Sequence, residues 1–162
     1  MIGIANNHAL KTEREIDIDM AFTEMDFTKG GGGSLTEIVY PSVSGTYDTY
    51  AITNMFDGND STFWIGNAET SYVYLYNLAS QNIAKIKLRT SYFYSRDYTM
   101  NIVVYGSNTS TSADLVQLAT LSPKYSDGVK EIAVNSSYKY YVIKITNTVS
   151  GNYAGLSRLM IE

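Results

Sequence analysis

From residue 36 onward the chain is written in short apolar and aromatic runs, separated by clusters of Gly, Asn, Asp and Ser. Runs of this length with turn residues between them read as strands. The clearest are 72–78, 83–90, 99–106, 115–121, 130–134, 138–146 and 156–161. TMNIVVYGS and KYYVIKITN alternate polar with apolar, as strands buried on one face do. NIAKIKLRT alternates too, which predicts Ile83, Lys85, Lys87 and Arg89 on one face and Ala84, Ile86 and Leu88 on the other. No segment has the period or the caps of a helix, and there is no internal repeat. The pattern predicts an all-β fold, a sandwich or jelly roll.

Residues 1–34 are written differently. EIDIDMAF alternates at period two and predicts one short strand over 15–22, too small to bury much by itself. Gly30 to Gly33 come next. Four glycines in a row favour neither helix nor strand, because each loses the most backbone entropy on ordering. They suit a flexible linker, or close backbone packing between copies of the chain. The organisation expected is an arm over 1–34, for docking or oligomerisation, and a β-sandwich domain over 35–162.

Composition narrows the function. Hydrophobic residues make up 44% of the 162, enough for a core, while charged residues are only 17%. Tyr, with 15 copies against 5 Phe and 1 Trp, favours strands and wet contact surfaces. A net charge of −4 gives no electrostatic reason to hold nucleic acid or an anionic membrane. Without Cys, disulfides, thiolate metal sites and Cys nucleophiles are excluded. No stretch is apolar enough to span a bilayer, and the N-terminus lacks the pattern of a signal peptide. An extracellular role would then need another route, such as release of a virus particle.

The most informative stretch is Ala51-Ile-Thr-Asn-Met-Phe-Asp-Gly-Asn-Asp-Ser-Thr-Phe-Trp64. Asp57, Asp60 and Thr62 put hard oxygens into one tight loop, the ligand type Ca²⁺ takes, without the EF-hand pattern. The plain alternative is an Asx-Gly turn. Further on come Ser71-Tyr-Val-Tyr-Leu-Tyr-Asn-Leu78, Ile83-Ala-Lys-Ile-Lys-Leu88, Met100-Asn-Ile-Val-Val-Tyr-Gly-Ser-Asn108, Tyr140-Tyr-Val-Ile-Lys-Ile145 and Gly151-Asn-Tyr-Ala-Gly-Leu-Ser-Arg-Leu-Met-Ile161.

In this order the motifs resemble discoidin-type domains, the family of coagulation factor C domains and galactose-binding carbohydrate-binding modules. Their Asp-Gly loop ending in Thr-x-Trp is matched by 57–64, and the likeness runs to residue 161. It implies a discoidin-like jelly roll with Trp64 at the core edge beside the loop. It also implies a structural Ca²⁺ held by Asp57, Asp60 and Thr62 with backbone oxygens nearby and at Ser157. One departure matters: Arg158 stands where the family has Glu. Arg158 would either repel the ion or substitute for it, by pairing with Asp57 or Asp60, with Asp57 the expected partner.

Ligand sites of such domains lie on loops at one end of the sandwich. In the loop over 92–98, Tyr94 and Tyr98 flank Arg96 and Asp97, which combines planar faces with a donor fork and acceptors as sugars require. In the loop over 150–154, Tyr153 matches the family's stacking aromatic, with Asn152 beside it. The loop over 44–50 is a third, weaker candidate. These tyrosines equally suit loop ends or a subunit contact.

Catalysis finds little support. His8 lies in the arm with no Ser/His/Asp set around it, and GGGGS lacks the Lys of a phosphate loop. The acidic pairs Asp57/Asp60 and Glu13/Glu15 suit ion binding and solvation better than a glycosidase cleft. The chain is expected to be complete in itself and non-enzymatic. An arm, glycines and a sugar-binding head together resemble phage virion proteins such as head fibres, decoration proteins and tail adhesins. The expected partner is host-surface glycan or other virion proteins, in a homo-oligomer at the virion surface. A purely structural capsid or collar protein and a free lectin are the alternatives.

Overall fold

The computed structural model describes residues 38–43, 45–77, 80–92, 96–109 and 114–162. The arm over 1–34, its expected strand over 15–22, and Tyr94 lie outside the described residues. Nine strands run in two antiparallel sheets among the described residues. They are β1 (Ile38–Val43), β2 (Trp64–Ile65), β3 (Thr70–Asn77), β4 (Ile83–Thr90), β5 (Met100–Ser107), β6 (Val116–Leu121), β7 (Lys130–Ser136), β8 (Tyr140–Asn147) and β9 (Gly155–Ile161). One sheet has the order β1-β3-β8-β5-β6 and the other β2-β9-β4-β7.

Alternation explains why the sheets close face to face. Val73 and Leu75 of β3, Ile102 and Val104 of β5, and Tyr141, Ile143 and Ile145 of β8 point inward. They meet Ile86 and Leu88 of β4 and Leu156, Leu159 and Ile161 of β9. Trp64 is fully buried in this core, and its indole N–H donates to the Gly45 carbonyl at 3.2 Å. Among the described residues no helix is long and apolar enough to cross a membrane.

One expectation needs correction, and two strands were not anticipated. Ile83 is buried and Ala84 exposed, the reverse of strict alternation with Ile86 and Leu88. The pairing of β4 with β7 shifts register between Ile83 and Lys85, and that irregularity inverts the face. Strands β1 and β2 had no signal in the pattern. The first is an edge strand that carries Pro41 and a register shift. The second is two residues long, defined only by Trp64 facing Leu156 and Ile65 facing Gly155.

Candidate functional site

Register brings several loops to one end of the sandwich. Thr70 faces Thr146, Met100 faces Asn147, Thr90 faces Leu156 and Ile65 faces Gly155. The loops over 45–51, 57–63, 66–69, 122–129 and 148–154, and residues 91–92 and 96–99, therefore gather there.

The loop over 148–154 is rooted by Asn147, a buried residue at the end of β8. Its amide donates to the Tyr153 carbonyl at 2.9 Å, and its side-chain oxygen accepts from the Val149 N–H at 2.9 Å. Thr148 donates to the Thr99 carbonyl through both its N–H and its hydroxyl. Ala154 bonds across to Ala68, and the Gly66 N–H donates to Ala154. Gly151, at φ 79°, makes the turn in a left-handed conformation and donates its N–H to Glu69 Oε2 at 3.1 Å.

The result is a fixed Tyr153, half-buried, with its ring centroid 4.4 Å from that of Tyr47. Tyr47 in turn stacks with Tyr50 at 6.3 Å. The weaker loop over 44–50 thus supplies two of three rings. Asn152 is partly buried, with its amide toward the Val149 and Ser150 carbonyls of its own loop. Glu69 and Asn147 carried no sequence signal. Their roles come from the register of β3 against β8.

The loop over 96–98 is organised around a different partner. Asp97 accepts from the N–H of Ser126 at 3.2 Å and from the Ser126 hydroxyl. Burial pulls its carboxyl upward, but the bonds from Ser126 and the positive charge of Lys124 hold it below the ordinary value. Tyr98 packs against the core, and Arg96 is exposed. Asp97 and Tyr98 therefore have structural contacts of their own, apart from the Tyr153 rings.

The Asp-Gly loop closes on itself. Asp57 accepts from the Asn59 N–H at 2.7 Å and from the Thr62 hydroxyl at 2.5 Å. The same hydroxyl lies 2.8 Å from the Asn59 carbonyl, to which the Thr62 N–H donates at 3.1 Å. Asp60 lies between two guanidiniums, with Oδ2 2.6 Å from Arg89 Nη1 and Oδ1 2.9 Å from Arg158 Nε. The second contact is an ion pair rather than an aligned hydrogen bond. Arg158 Nη2 donates to the Gly58 carbonyl at 2.6 Å. Arg158 thus pairs with Asp60, not with the expected Asp57. The Ser157 hydroxyl is buried and donates sideways to the Thr90 carbonyl at 3.2 Å.

These residues do not fit a divalent cation. Both oxygens of Asp57 accept within the loop, both of Asp60 face arginine, and the Gly58 carbonyl is taken by Arg158. Among the described residues no three His, Asp or Glu side chains converge on one point.

No family model matches the sequence, and no curated protein matches it. Solved structures do. Chitosan-binding module 1 of a chitosanase/glucanase from Paenibacillus sp. IK-5 aligns with a TM-score of 0.57 at 17% identity, over 75% of this chain and 92% of that one. The family 32 carbohydrate-binding module of C. perfringens NanJ, in complex with galactose, aligns at 0.59 and 14% identity, over 77% and 93%. A pectin-binding carbohydrate-binding module aligns at 0.62 and 19% identity, over 80% and 91%. The chain has the discoidin-like β-sandwich fold found in carbohydrate-binding modules.

Proposed function

We propose that this chain is a non-enzymatic glycan-binding module whose sugar platform is built on Tyr153. The observation that carries the reading is the Tyr153–Tyr47 ring pair at 4.4 Å, held by buried Asn147 at the loop-bearing end of the sandwich. A sugar ring needs a preset planar face and polar groups at its edge. Tyr153, Tyr47 and Tyr50 offer the first, and Asn152 and Glu69 the second. The Glu69 carboxylate favours neutral or amino sugars over uronic acids, because like charges repel. Galactose, chitosan oligosaccharides and pectin fragments, the ligand classes named for the structural neighbours, make a discriminating first panel.

The finer part of the reading is the setting. The arm over 1–34 anchors a homo-oligomer at a virion surface, where the head meets host glycan; its support is the arm's composition. The test is a glycan array with the full chain and a Tyr153→Ala variant, each shown to be folded. Binding to neutral or amino glycans that the variant loses supports the module. Absence of binding by folded protein would turn the reading to a structural role, which the stacked rings of Tyr76 and Tyr140, 4.9 Å apart on a sheet, would also serve.

A further inference from the structure

We propose that Asp60, bridged between Arg89 and Arg158, takes the place of a divalent cation as the element that orders the Asp-Gly loop and ties it to its neighbours. The need for a bridge lies in the register. Arg89 of β4 and Arg158 of β9 are direct cross-strand partners. Two like charges in that relation repel each other unless an anion lies between them. Asp60 is that anion. One carboxylate oxygen meets each guanidinium, at 2.6 and 2.9 Å.

The bridge is partly desolvated. Side-chain exposure is 19% for Arg89, 22% for Arg158 and 32% for Asp60. Charges so placed interact more strongly than an exposed pair in water.

Each arginine also reaches a second loop group. Arg158 donates to the Gly58 carbonyl, and Arg89 donates from Nε to the Tyr125 carbonyl at 3.2 Å. The Arg89 guanidinium lies 3.9 Å from the Tyr125 ring centroid, and the Tyr125 hydroxyl donates to the Asp60 carbonyl at 3.1 Å. Residue 126, next along, holds Asp97. One carboxylate thereby links the loops over 57–62, 96–98 and 124–127. A cation brought to this place would face two fixed positive charges, with the loop's own oxygens already accepting hydrogen bonds.

The test uses the full chain and reads neither glycan binding nor activity, so its outcome is separate from that of the proposed function. Calorimetric titration with Ca²⁺ is expected to give no saturable binding, and the melting temperature is expected to be the same in millimolar Ca²⁺ and in chelator. Asp60→Asn is expected to lower the melting temperature by about 5 °C or more. The pair Asp60→Asn/Arg158→Gln is expected to lose less than the two single variants added together, because the Asp60–Arg158 contact is lost in both single variants and the double variant removes the guanidinium that Asp60→Asn leaves without its anion. Saturable Ca²⁺ binding, a Ca²⁺-dependent rise in melting temperature, or additive variants would overturn the proposal.

Discussion

Tyr141→Phe isolates one oxygen in the core. Tyr141 is fully buried in β8. Its hydroxyl donates to the Ser136 carbonyl at 2.8 Å, accepts the Tyr138 N–H at 3.0 Å and lies 3.1 Å from the Ser136 hydroxyl. A single atom thus closes the turn between β7 and β8. Phe keeps the ring and its packing but leaves a backbone donor and a backbone acceptor without their partner. Each such group costs about 1–3 kcal/mol when water cannot replace the bond. Ser136 and Tyr138 are only partly buried, so water satisfies some of the loss. The expected cost is about 2–3 kcal/mol. Urea unfolding should show a lower midpoint with an unchanged slope. Alkaline pH gives a second signature. Burial raises the Tyr141 phenol above its ordinary value of 10.0. Its contribution is therefore complete below that value and is lost as pH rises through the folded one, and the gap between wild type and variant should narrow there. A Phe variant within about 0.5 kcal/mol of wild type at neutral pH would refute the hub, since that is the scatter of an ordinary surface substitution.

Gly155→Ala tests the close approach of β2 and β9: a Cβ there would run into the Trp64 carbonyl oxygen and lie 2.8 Å from both Ile65 Cδ1 and Ser91 Oγ. The backbone oxygen cannot turn aside, so a loss of about 1–3 kcal/mol is expected in urea. Asp97→Asn tests the tie to the loop over 124–127. The Asp97 pKa is lowered, so its stabilisation is present above the ordinary 3.8 and disappears as pH falls through the folded value. The melting-temperature difference between wild type and variant should hold steady through about pH 5–8 and shrink in acid; a difference that grows in acid would reverse the assignment.

Much of the fold was legible because the core strands obey one rule. In β3 the sequence Tyr72-Val73-Tyr74-Leu75-Tyr76 sends Val73 and Leu75 inward, and alternation alone says so. Where pairing rather than pattern defines a strand, the sequence was silent. Trp64 and Ile65 form a strand only because β9 lies beside them. The surroundings of the candidate site follow the same rule. Tyr153 could be singled out through the family resemblance and the loop over 44–50 named as a weaker candidate, but the contact between them could not be read. Tyr47 lies far away in the chain, and Glu69 reaches Gly151 only because β3 and β8 share a register. Asn147 looks like any turn-forming Asn. Its buried amide, holding two groups of the loop it precedes, is visible only in three dimensions.

The partner of Arg158 shows how local chemistry decides between two acids that spacing leaves equivalent. Asp57 and Asp60 stand in one loop, and by sequence either could meet the arginine. They differ in their downstream neighbours. Asp57 precedes Gly58 and Asn59, so its side chain can fold back onto the N–H two residues on, the Asx turn that short carboxylates form. Thr62 then donates to its other oxygen. Asp60 has no such outlet within the loop, and its carboxylate turns to the sheet. The sheet offers two arginines there, because Arg89 lies opposite Arg158. Arg158 alone reads as the loss of an acidic ligand. Beside Arg89 it is half of a cationic pair that requires one carboxylate between its members, and Asp60 is the one the loop leaves uncommitted.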